Sequence, residues 1–202
     1  MKLYDAAAPN PRRVRIFLAE KGIDCPIQRL DLFAGESRTP EFGQINSLHE
    51  TPVLEFDDGR RITESVAICR YFEAVHPDPP LFGIDAADQG LVEMWNRRME
   101  QQIMGTVGAV GLHEFPFFAD KIEQIPDYAA AQRRAMPGKW AWLDREIADG
   151  RPFIAGERFT VADITGMAAL MICDFARMPV PEGLTNVEQW ASRVKARPSW
   201  SA

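Results

Sequence analysis

Cysteine is too scarce in this chain, and too widely spaced, to build a disulfide framework. Three occur among 202 residues, Cys25, Cys69 and Cys173, with no CxxC pair and no Cys/His spacing of a metal site. The pattern fits buried thiols in a reducing cytoplasm, and no metal is expected. Positive charge is short as well. Lys and Arg number 23 against 29 Asp and Glu, a net charge of −6, and the basic residues are scattered, which speaks against a nucleic-acid partner. No apolar run approaches the ~20 residues of a membrane span. The opening reads as a strand and an amphipathic helix rather than a signal peptide. One further absence is local: residues 6–22, AAAPNPRRVRIFLAEKG, follow a strand and open a helix, yet hold no Ser, Thr, Cys or Tyr.

What is present divides at a proline-rich stretch. MKLYD reads as a strand, and a helix from Pro11 to Lys21 ends at Gly22, with Asn10 as N-cap and Pro11 at N1. IQRLDL (27–32) alternates as a second strand, PEFGQIN is an irregular helical segment, and VLEFDDGRRIT (53–63) is a hairpin turning at Asp58-Gly59. A helix from Ser65 to Val75 carries Ile68, Tyr71, Phe72 and Val75 on one face and stops at His76-Pro77. HPDPPLFGIDAA reads as a linker. Beyond it strand signals vanish, and helical patterns run over about 86–115, 127–149, 160–177 and 187–196, with Pro137-Gly138 expected to kink or split the second. The expected domains are 1–76, a linker 77–87, and 88–202. At Thr160 a capping box is legible: Thr160 as N-cap, Asp163 at N3, and Phe159 and Ile164 at the staple positions. Losing either capping side chain should cost roughly 0.5–2 kcal/mol.

The residues that point to chemistry lie around the hairpin. Pro52 precedes a strand and can be cis in a tight turn, leaving neighbouring backbone groups to a ligand; an extended peptide could then pair with Val53. Glu64 and Ser65 stand where the second hairpin strand enters a helix. Amides at a helix start favour a carboxylate, the Ser65 hydroxyl adds a hydrogen bond, and Glu64 can pair with an ammonium. Together they suit an amino-acid head carrying both charges.

That order of elements, Pro52 before Val53, the Glu64-Ser65 pair and the Thr160/Asp163 box resemble the soluble glutathione transferases over essentially the whole chain. MKLYD, RRVRIFLAEKGI, GESRTPEF, TPVLEFDDGRRITESVAICRYF and RPFIAGERFTVADIT look most like a bacterial and fungal branch related to the theta and beta classes. The resemblance implies an α/β thioredoxin-like N-terminal domain (βαβ-α-ββα), an all-α C-terminal bundle, glutathione as co-substrate, and a cytoplasmic homodimer. It implies detoxifying attack of the glutathione thiolate on a small apolar electrophile. The cis-proline role falls on Pro52 and main-chain pairing with the cysteinyl unit on Val53, beside Thr51. Glu64 and Ser65 would hold the γ-glutamyl end. His49 and the amide of Glu50 would meet the glycyl end, although His49 equally suits a solvated loop. Ser37 stands where relatives carry a basic side chain, and Arg38 can compensate.

The reactive centre departs from the family's pattern. The usual Ser or Cys position falls at about Ala8. Lowering a thiol pKa from ~8.5 by two units needs about 2.7 kcal/mol. A helix start supplies ~0.3–1, up to ~2 kcal/mol, so a hydrogen bond of ~1.5–3 kcal/mol must be added. Asn10, a backbone amide of residues 8–12, or a water oriented by His113 are the open candidates. Phe115, Phe117 and Phe118 suit an acceptor pocket or the core. Arg97 and Arg98 lie on the helix the family uses for dimerisation. A silent glutathione carrier is the rival reading, fed by Ala8. Glutathione-dependent reduction is disfavoured, because no cysteine lies near the first helix start.

Overall fold

The computed structural model describes all 202 residues. They form two compact units, Met1–Leu81 with Ser201–Ala202, and Phe82–Trp200.

In the first unit, strand β1 (Lys2–Ala6) leads into helix α1 (Pro9–Lys21), then β2 (Ile27–Leu30), α2 (Pro40–Ile45), β3 (Val53–Glu55), β4 (Arg61–Thr63) and α3 (Ser65–Val75). The sheet order is β2-β1-β3-β4, with β2 parallel to β1 and the other pairs antiparallel. Alternation along the strands covers both faces. Tyr4 and Val53 pack with Phe42 of α2. Their neighbours Leu3 and Leu54, fully buried, face the opposite core. The hairpin turns where expected, with Gly59 at φ 84° and its amide on the Phe56 carbonyl at 3.0 Å. PEFGQI is a regular helix, because Thr39 caps it by accepting the Phe42 amide.

Helix α1 begins two residues earlier than the sequence suggests. Ala8, in extended conformation, is the N-cap, and Pro9 and Pro11 both lie in the first turn. Asn10 is therefore not the cap but an exposed residue inside that turn. Proline's fixed φ suits the first turn, so Pro9 starts the helix as readily as Pro11. The far end is as expected, with Gly22 left-handed at φ 63°.

The second unit is helical. Helix α4 (Ala86–Arg98) continues through a π-helical stretch, Met99–Met104, into α5 (Gly105–Glu114). After it come α6 (Pro126–Glu146), α7 (Val161–Phe175) and α8 (Thr185–Lys195). Helix α6 is not split: it runs through Pro137 and Gly138. Helix α7 is buried along its first ten residues. Gly166 allows this, since a Cβ there would sit 2.5 Å from the Trp190 ring. No helix is long and apolar enough to cross a membrane.

The α7 start does more than cap a helix. Asp163 Oδ2 accepts the Thr160 amide (2.9 Å) and hydroxyl (3.2 Å), closing the capping box. Its Oδ1 accepts the Ile154 amide and Trp190 Nε1, both at 2.9 Å. One carboxylate thus ties a loop, the helix start and α8 together. Burial pushes its pKa up to about 6, against the lowering by these donors.

Candidate active site

Sheet topology gathers the candidate residues of the first unit at one end. β1 finishes at Ala6 and turns into α1 there. β3, antiparallel to β1, starts at the same end, and β4 finishes there opposite Val53. The Thr51-Pro52 turn, the α1 start and the α3 start are consequently neighbours, although 56 positions separate Pro9 from Ser65 in sequence.

The α3 start is open. Glu64, the N-cap, makes no side-chain cap, and the amides of Ser65, Val66 and Ala67 have no backbone acceptor; the first closed turn is Ile68 N–H to the Glu64 carbonyl at 3.0 Å. Glu64 is held at φ 66°, ψ 116°, a conformation that costs a non-glycine residue of order 1–3 kcal/mol. Its side chain is exposed, while Ser65 is buried. Ser65 Oγ accepts a hydrogen bond from Arg13 Nη1 at 2.9 Å.

The α1 start is nearly closed. The Ala8 amide bonds the Ala6 carbonyl at 2.8 Å, and the Arg12 amide bonds the Ala8 carbonyl at 3.1 Å. Pro9 and Pro11 have no N–H. Of residues 8–12, Asn10 alone retains an amide without a backbone acceptor. The backbone and side-chain candidates of this segment thereby coincide at Asn10.

Thr51-Pro52 is a cis peptide bond. Val53 cannot take the strand-like pairing expected of it, because β3 is interior. Val53 lies opposite Tyr4 on one side and Thr63 on the other, so no open sheet edge remains there. Thr51 precedes the strand, and its amide and carbonyl have no partner in the structure. The unpaired main chain beside the strand is that of Thr51.

Next to it, Asn46 braces the loop: its Nδ2 donates to the Glu50 carbonyl at 2.8 Å, and its Oδ1 accepts the Leu48 amide at 3.1 Å. His49, at φ 57°, brings its Nδ1 within 2.8 Å of the Ser37 carbonyl. The ring lies over Gly43, where a Cβ would stand 2.8 Å from it. His49 is therefore anchored beside Ser37 and Arg38 rather than free in a loop. Ser37 itself is buried, whereas Arg38 and Glu50 are exposed.

The remaining candidates belong to the second unit. His113 Nδ1 accepts the Ile125 amide at 3.1 Å, and the ring meets Tyr128 edge-on at 5.3 Å. An amide there requires a lone pair on Nδ1, so the neutral ring carries its proton on Nε2. His113 therefore has Nε2–H as its free donor. Phe115 stacks edge-on against Phe175 at 4.6 Å, and Phe117 against Phe118 at 4.9 Å. All three phenylalanines of the 115–118 stretch are half-buried. Arg97 pairs with Glu93 and Glu100 on its own helix, and Arg98 with Glu146.

No cysteine is poised for thiol chemistry. Burial pushes Cys69 and Cys173 up to about 12 and raises Cys25 as well. Two contributors escaped the sequence reading, Arg13 and Asn46. Arg13 shares the α1 face of Ile16 and Phe17, at i+3 and i+4. A charged residue in that apolar stripe is the signal that could have found it.

The chain matches two family models, the N-terminal domain of glutathione S-transferase over residues 7–75 and the C-terminal domain over residues 126–193. It is 35% identical to glutathione S-transferase 2 of Saccharomyces cerevisiae, over 98% of this chain and 87% of that protein. Among solved structures it superposes on a glutathione S-transferase domain-containing protein of Marinobacter aquaeolei with TM-score 0.92 and 38% identity, covering 99% of this chain and all of that one. It also resembles human glutathione transferase theta-2, solved in complex with glutathione, with TM-score 0.86 and 27% identity over 99% and 84% of the two chains.

Proposed function

The chain belongs to the glutathione S-transferase family, and from that premise we propose that it joins the glutathione thiolate to small apolar electrophiles. The observation that carries this reading is the open α3 start. Three unbonded amides, a buried serine hydroxyl and an exposed Glu64 carboxylate suit the carboxylate and ammonium of a γ-glutamyl group. Thr51 would pair with the cysteinyl backbone, behind Pro52. His49, Arg38 and the Glu50 amide would receive the glycyl carboxylate; Val53 only supports the turn.

In the reaction the thiol proton leaves to solvent, the sulfur lone pair bonds to the electrophilic carbon, and the leaving group departs with its electrons. The site's task is to favour the thiolate. At the α1 start the backbone can contribute the dipole and one amide, that of Asn10. That amide, with the Asn10 side chain, supplies the hydrogen bond that Ser or Cys gives elsewhere. Phe115, Phe117 and Phe118 offer apolar surface to the electrophile. A cytoplasmic homodimer, built from domains 1–76 and 88–202 with a connecting linker, completes the reading.

A specific observation supports the carrier alternative: Ala8 and the two prolines leave the sulfur little to bind. Ultraviolet difference titration of the glutathione complex separates the two, after calorimetry has established binding. A thiolate pKa well below ~8.5 is expected. Tight binding with an unshifted pKa would make the protein a carrier.

A further inference from the structure

We infer that Arg13 is a positioning residue for the γ-glutamyl carboxylate, acting through Ser65; this rests on the glutathione reading above. Arg13 belongs to the second turn of α1 and is 2% exposed. Such burial of a guanidinium is expensive unless it is hydrogen-bonded to something specific. One of its bonds crosses to α3, from Nη1 to Ser65 Oγ.

The chemistry of that bond has one direction. A guanidinium has donors and no acceptor, so the Ser65 oxygen must accept. Its single hydrogen is then turned away from Arg13 and left for another acceptor. The protein provides none: the bond from Arg13 is the one hydrogen bond of the Ser65 side chain. A serine at a helix start can otherwise rotate to bond nearby backbone. Arg13 removes that freedom, and by placing a positive donor on Oγ it polarises the O–H outward.

The group that fits an outward hydroxyl beside three unbonded amides is a carboxylate. Cys69 stands four residues after Ser65 on the same face of α3, and the positive charge of Arg13 reaches its thiol. The guanidinium thus lies against the start of α3, at Ser65. In this role Arg13 orders the hydroxyl without touching the ligand. The consequence is selectivity for peptides whose γ-linked residue keeps its α-carboxylate.

The test is calorimetry with two peptides, glutathione and 4-aminobutyryl-cysteinyl-glycine, which lacks only that carboxylate. Wild type, Arg13→Lys, Ser65→Ala and the double variant complete a cycle. Wild type should prefer glutathione by about tenfold or more, the worth of one charge-assisted hydrogen bond. Arg13→Lys should cut that preference severalfold, yet change it less than about twofold once Ser65 is alanine, the signature of two residues acting as one. Arg13→Gln, a neutral N–H donor, serves if the lysine variant does not fold.

An arginine that merely supports the fold would weaken both peptides equally, or act independently of Ser65; either result overturns the inference. So does a Ser65→Ala variant that keeps the full preference, whatever the Arg13 variants do. A wild type that binds neither peptide overturns the glutathione reading and this inference with it.

Discussion

At the start of α7, the capping carboxylate is fully engaged by donors of the protein itself. Asp163 takes the Thr160 amide and hydroxyl, then the Ile154 amide and the Trp190 indole. At the start of α3, Ser65, Val66 and Ala67 keep their amides unbonded, and the N-cap Glu64 makes no side-chain cap. Both helices face the same requirement, since the first turn of any helix has orphan N–H groups. Helix α7 meets it in part, at the Asp163 amide, and adds an Asp163 carboxylate that binds four donors and so contributes stability. Helix α3 leaves it unmet and adds backbone strain at Glu64, which makes sense where a ligand supplies the missing acceptors. The α1 start is a third case, in which proline removes the donors outright and leaves the one at Asn10.

The sharpest way to break this comparison is Asp163→Ala. It strands buried donors on three elements at once, and a loss of about 3–5 kcal/mol is expected, as for breaking a buried ionic network. Urea unfolding measures it, and the folded fraction should bind glutathione about as well as wild type. The size exceeds the roughly 0.5–2 kcal/mol of an ordinary cap, because the cap is only half of what Asp163 does. Its titration gives a second reading. The folded pKa, about 6, lies above the ordinary ~3.9. Stability from this group is therefore fully present below about pH 4 and lost as pH rises through about 6, by roughly 3 kcal/mol. In Asp163→Asn that slope should vanish; a slope of opposite sign would show the carboxylate to be stabilised as the anion.

Ser65→Ala should do the reverse of Asp163→Ala. Glutathione affinity should fall by about 1.5–3 kcal/mol, a factor of ten to a hundred, with a stability loss less than half that of Asp163→Ala. If stability falls as far as affinity, the α3 start is structural like that of α7. The smallest effect concerns α1. Asn10→Pro deletes the last free amide there, while Asn10→Ala deletes only the side chain. The proline variant should raise the thiolate pKa of the bound glutathione by about one unit over the alanine variant, or 1.4 kcal/mol. Equal values would rule out the Asn10 amide as the donor.

Much of this was legible in sequence, for local reasons. The Asp58-Gly59 turn, the Gly22 stop, the Thr160/Asp163 box and the strand–helix order rest on residues a few positions apart. The α1 start was misread by two residues because two prolines compete for the same first turn. Helix α6 absorbs Pro137 although the proline suggested a break. At the site, Glu64 and Ser65 could be found because a helix start after a strand is a local pattern. The role given to Val53 could not be checked, since whether a strand is interior depends on which others pair with it.

The sequence by itself determined the two-part architecture, the family and the segments that approach the site, because periodicity, caps and turns act over a few residues. Tertiary structure alone decided what each segment offers there. It moved the free backbone from Val53 to Thr51 by enclosing β3. It set Arg13 against Ser65 across 52 positions, brought Trp190 to Asp163 across 27 and fixed the protonated nitrogen of His113 through Ile125. These are hydrogen bonds between groups distant in the chain, and their energy depends on ångström-scale geometry that no spacing of residue types encodes.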